Sequence, residues 1–139
     1  MLRRDLIKDQ IEQLGKMLGI IIGEFLGLKL LDRTQEGIEI ANQQLRSQHD
    51  IDVNQLAELS GKDLEQYLTE RNLHPDHLNI LSNYLKELGL AEIETNSENA
   101  KKWFQKALDL LEIADETSKE YSFERMKTKE SIEQCIQQL

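Results

Sequence analysis

Residues 4–28 read RDLIKDQIEQLGKMLGIIIGEFLGL, a run long enough to set the fold class by itself. Ile7, Ile11, Leu14, Leu18, Ile21 and Phe25 recur at three- and four-residue spacing, which is the period of one helix face. The same period continues downstream. Ile38, Ala41 and Leu45 mark a helix from about Thr34, the expected N-cap, to Ser47, and the Asn42-Gln43-Gln44 edge should meet solvent. The lone proline, Pro75, fits a first helical position, with Leu78, Leu81, Leu85 and Leu88 following. Asn96 or Ser97 caps a further helix to about Asp115, with Trp103, Phe104, Ala107, Leu108, Leu111 and Ala114 on a broad apolar face. The final helix, about Ser122 to Gln137, carries only Ile132, Cys135, Ile136 and Leu139. Between His49 and Leu73 the pattern breaks into shorter pieces, a turn or two around Val53 to Leu59, then Ser60-Gly61 punctuation, then about Lys62 to Arg71 carrying Leu64, Tyr67 and Leu68. The expectation is an all-α, largely antiparallel bundle of five or six helices, forming a single domain over 1–139.

Composition agrees. One Pro and 7 Gly leave little material for turns, aromatics are 5%, and Leu, Ile, Glu, Gln and Lys fill the periodic stretches. Asp+Glu at 26 against Lys+Arg at 17 give a net charge of -9, so a phosphate backbone would be repelled and nucleic acid is not an expected partner. The single Cys135 has no disulfide partner and suits a reducing, cytoplasmic setting, where it would pack as a small hydrophobe. Arg3-Arg4 is followed by Asp5, Asp9 and Glu12 rather than an apolar run, and no small-x-small cleavage site follows Ile22, so a secretory signal is not expected.

Gly15, Gly19, Gly23 and Gly27 stand at strict four-residue intervals inside the first helix, each about 1 kcal/mol less favourable than Ala. At about 100° per residue the ladder lies to one side of the core face and joins Ile22, Leu26 and Leu30 in a second contact surface. Small residues at this spacing let another helix backbone approach closely. That helix belongs either to the same domain or to a second copy in a homodimer. Membrane association is the weaker reading, because Met17–Leu31 contains Glu24 and Lys29 and falls short of the roughly 20 residues a span needs.

No catalytic apparatus is readable. His74 and His77 flank Pro75-Asp76 at a helix start, where two imidazoles could share a face as metal ligands, but capping at the helix start explains them better. No base is tied to Cys135, no Gly-x-Ser-x-Gly elbow or phosphate loop occurs, and Glu112, Asp115, Glu116 and Glu120 read as a solvated acidic face. The expectation is a protein without enzymatic activity, cofactor or metal. The alternative is a ligand-binding or enzymatic bundle whose site assembles only in three dimensions.

Leu85-x-x-Leu88-Gly89 followed by Ala100-x-x-x-Phe104-x-x-Ala107-Leu108 resembles one tetratricopeptide-type helical hairpin, over about residues 81–114. In that family the Leu-Gly pair lets two helices approach in a right-handed hairpin, and the Ala, Phe and Ala positions fill the space between them. The family's tyrosine position holds Glu92 here. The resemblance implies a scaffold offering a groove to a peptide or partner helix. Tyr84, Asn99, Lys101 and Lys102 are the candidate groove residues, a polar set beside an aromatic. The opening stretch Asp5–Lys29 is also similar in style to small uncharacterised bacterial proteins. The expected function is protein–protein interaction or scaffolding, with another protein or with a second copy of the chain.

Overall fold

The computed structural model describes residues 2–139. Among these residues seven α-helices follow one another: α1 (Leu2–Leu30), α2 (Thr34–His49), α3 (Val53–Glu58), α4 (Gly61–Glu70), α5 (Pro75–Glu92), α6 (Ser97–Ser118) and α7 (Phe123–Gln137). No strand occurs among the described residues, so the all-α class holds. The count is seven rather than five or six, because the irregular stretch 49–73 resolves into two separate short helices. Asp52 starts α3 by accepting the backbone N–H groups of Asn54 and Gln55 at 3.0 and 3.2 Å, and Gly61, at φ 56°, turns the chain into α4.

Local chemistry explains most of the other ends. Asn96 caps α6 through the N–H of Asn99, and Ser122 caps α7 through that of Arg125. Pro75 takes the first position of α5, where its missing donor costs nothing. Asp50 and Lys119 close α2 and α6 in the left-handed region, at φ 55° and 58°. Thr34 is not the cap expected of it: Arg33 takes that position, and its guanidinium holds Glu36 through two bonds of 2.6 and 2.7 Å.

Helices α5 and α6 form the most extensive pairing, and α1 and α7 also pack on α5, which makes α5 the central element. Helix α2 lies on α1, and α3 reaches α6. One apolar cluster joins them, built around Phe25, Tyr84, Phe104, Leu45, Leu81 and Leu111. Gly89 explains the tightness of the α5–α6 pair. A Cβ built there would lie 2.5 Å from Cε1 of Phe104, so the phenyl ring occupies the space a side chain would take. Gly37 does the same for α1 and α2, where a Cβ would come within 3.1 Å of Phe25 Cδ1 and 3.3 Å of Leu28 Cβ.

The glycine ladder behaves differently. A Cβ at Gly15 would meet only the His77 ring, at an ordinary 3.7 Å, and Gly19, Gly23 and Gly27 have nothing within 4 Å. Among the described residues no helix packs against those three, so the intramolecular reading is overturned for them. The close approaches fall at Gly37 and Gly89 instead. Ile22, placed with the ladder on sequence grounds, is buried in the core, while Leu26 is exposed. Ile7, expected on the core face, is exposed, as is every residue from 4 to 10.

Candidate functional site

Two adjoining hollows make one groove across the molecule. The larger, about 680 Å³, lies between α3 and α6; the smaller, about 200 Å³, is bounded by α2, α3, α5 and α6. They share Asn54, Asn99 and Trp103. The larger falls within the size range of ligand clefts, about 300–1,000 Å³.

Three of the four groove residues expected from sequence come together here. Asn99, Lys101 and Lys102 all line the larger hollow, and both lysines are exposed at its rim. Neither forms an ion pair among the described residues. Tyr84 is the correction. Its side chain is fully buried beneath the groove, edge-on to Phe25 with ring centroids 5.4 Å apart, because its position on α5 points at α1 and α2 rather than outward. It still acts on the groove from below: its hydroxyl donates to Oδ1 of Asn42 at 2.6 Å, and Asn42 lines the smaller hollow. Burial raises the Tyr84 pKa, so the phenol stays protonated as a donor.

Glu92, in the last turn of α5, organises the opposite wall. Its Oε2 accepts from Nδ2 of Asn99 at 2.6 Å and from Nε1 of Trp103 at 2.9 Å. One carboxylate therefore orients both the amide and the indole, and the Trp103 ring, with its only donor satisfied, offers apolar surface alone. Lys106 is buried on the α3 side, where its ammonium bonds to Leu59 O and lies 3.2 Å from Asp109 Oδ2, tying α6 to the end of α3. Asn42, Asn54, Glu92 and Trp103 are absent from the sequence-derived set. Asn42 reads as a solvent edge of α2, and only folding brings it to α6. The one local signal is Asn99 and Trp103 at i and i+4, which must share a helix face.

The histidine pair does not form a metal centre. His77 is buried and both its nitrogens are engaged: Nδ1 accepts the backbone N–H of His74 at 2.9 Å, and Nε2 lies 2.8 Å from Ile11 O, which makes it the donor of a neutral imidazole. Burial lowers its pKa, and the proximity of His74 adds to this against the opposing Ile11 carbonyl. Among the described residues no cluster of three His, Cys, Asp or Glu could hold a metal ion. Asp115 of the acidic stretch pairs with buried Arg125 at 2.7 Å, and Cys135 packs against the core. Among the described residues no helix is long and apolar enough to cross a membrane.

The outer face of α1 is the second candidate surface. Gly19, Gly23 and Gly27 lie bare beside Ile20, 61% exposed, and Leu30, 85% exposed. No protein-family model, curated protein or solved structure matches the chain.

Proposed function

We propose that this protein is a non-enzymatic interaction module that holds a segment of another protein in the groove between α3 and α6. The observation carrying this reading is the convergence of asparagines from three helices, Asn42, Asn54 and Asn99, around the half-buried Trp103 in one open groove. Amides that both donate and accept, an aromatic face and unpaired rim lysines suit a polypeptide ligand, and the groove contains no nucleophile–base pair. A tetratricopeptide-like hairpin in α5 and α6 is consistent with the Gly89–Phe104 contact. The test is a photo-crosslinking residue at Lys102, compared in cells with the same residue at exposed Glu130 on α7. A discrete protein adduct at Lys102 and none at Glu130 supports the reading; equal adducts, or none at either position, refute it.

Self-association through α1 is a second reading, favoured by the bare Gly19-Gly23-Gly27 face and its exposed Ile20, Leu26 and Leu30. A soluble monomer gains nothing from glycine at these positions, since each has room for a methyl group. Light scattering should give a dimer mass, and Gly19→Leu with Gly23→Leu should reduce it to a monomer. A monomer in both proteins removes this reading and leaves the groove untouched.

A further inference from the structure

We propose that the junction of α1 and α5 is a pH-sensitive latch, in which protonation of His77 frees residues 4–17 of α1 from the bundle while the core stays folded. The device is separate from the groove between α3 and α6 and depends on how the His77 ring is held. Nδ1 accepts the backbone N–H of His74 at 2.9 Å, and Nε2 lies 2.8 Å from the Ile11 carbonyl of α1. Only the neutral ring carrying its proton on Nε2 makes both bonds. A second proton would sit on Nδ1 and face the His74 N–H, donor against donor. The ring is 1% exposed, so water does not reach the new charge. Helix α1 itself is the cover: a Cβ at Gly15 would lie 3.7 Å from Cδ2 of the ring and 3.9 Å from Nε2. An imidazolium therefore reaches solvent when this part of α1 moves away.

Little else holds that part of the helix. Residues 4–10 are exposed, Ile11, Leu14 and Gly15 are part-buried, and the fully buried positions of α1 begin at Leu18. Among the described residues, the His77–Ile11 contact is the only side-chain hydrogen bond or ion pair tying residues 4–17 to another helix. Two hollows of about 390 and 440 Å³ share Ile11 and His74 in their linings, so the packing around the latch is open. The charged groups around it are His74 and Asp76 on α5, Arg71 in the turn before, Glu120 and Arg125 at the α6–α7 corner, and exposed Lys8, Glu12 and Lys16 on α1. Glu65 and Glu116 line a further hollow beyond Pro75 and Leu78. Burial keeps the His77 ring neutral below the ordinary 6.5, against the Ile11 carbonyl and Asp76, which favour the proton, and together with His74, which opposes it.

Amide hydrogen exchange of the full chain at about pH 8 and about pH 5, corrected for intrinsic exchange, tests the latch. For a group that charges only when released, the opening constant rises up to about tenfold per pH unit between 6.5 and the folded-state value. Protection of amides 11–17 should therefore drop about tenfold or more, while that of Leu110 and Leu111 in α6 holds. The ring-nitrogen NMR shifts of His77 should report a neutral imidazole protonated at Nε2 at the higher pH and proton uptake over the range in which protection is lost. His77→Gln keeps an oxygen for the His74 N–H and an N–H for Ile11 and has no proton to gain, so it should stay closed at both pH values, with its fold checked by circular dichroism. Unchanged protection, an equal loss in α6, or the same loss in a folded His77→Gln protein would overturn the latch. If that variant does not fold, the parent decides: a His77 ring that charges while amides 11–17 stay protected overturns it.

Discussion

Replacing Gly89 with alanine adds a single methyl group, and the structure gives its surroundings. The new Cβ would lie 2.5, 2.7 and 2.9 Å from Cε1, Cδ1 and Cζ of Phe104, where ordinary contacts begin near 3.4 Å. Relief requires a shift approaching 1 Å between α5 and the phenyl ring. Phe104 is fully buried with Ala100 and Ala107 on the same helix, so the ring has no free space to enter. Overpacking of this kind costs about 1–3 kcal/mol, and the better helix propensity of alanine returns up to about 1 kcal/mol. The net expectation is a loss of about 1–2 kcal/mol, or several degrees in Tm at this chain length. Urea unfolding followed by circular dichroism measures it. Phe104→Leu in the Gly89→Ala background should make the two changes non-additive, since a smaller side chain vacates the contested space. A Gly89→Ala protein as stable as the parent, or strict additivity with Phe104→Leu, would refute the packing argument.

Four other outcomes follow from the same geometry. Gly23→Ala, with nothing within 4 Å of the new methyl, should stabilise the monomer by about 0.5–1 kcal/mol in urea unfolding, opposite in sign to Gly89→Ala. Tyr84→Phe should cost about 1 kcal/mol and leave Asn42 free to rotate, visible as a shifted and broadened side-chain amide signal in NMR. Stability should fall with acid: the folded-state pKa of His77 is depressed, so its contribution is present above the unfolded value of 6.5 and is lost as pH falls below it. His49, also depressed by burial, acts with the same sign, and His77→Gln should flatten the dependence of the urea midpoint on pH. Glu92→Gln should disturb Trp103 fluorescence and peptide binding together while leaving helicity intact.

The helices were legible where the apolar period is unbroken, and α1, α2, α5, α6 and α7 follow it to within a few residues. The short helices α3 and α4 fall where the shorter pieces at 53–59 and 62–71 were read, though so few turns show little period and depend on Asp52 and Gly61 at their starts. Glycine spacing did not point to the packing within the chain, for a physical reason. A regular ladder signals room for a neighbour but does not supply one within the chain, where the close approaches stand at the isolated Gly37 and Gly89. The rim of the groove was legible, since Asn99, Lys101 and Lys102 follow from exposure on one helix. Its other walls were not: Asn42 comes from a distant part of the chain, and Tyr84 and Glu92, which hold Asn42 and Asn99, sit on a third helix.

Glu92 has a consequence for how such a groove could change over generations. One carboxylate at the end of α5 aligns an amide and an indole that are both carried by the next helix. A substitution there would leave the apolar core intact while releasing the two groups to turn, so recognition and architecture can diverge separately. Descendants of this chain could then keep the bundle and acquire different ligands by altering one side chain at the groove wall.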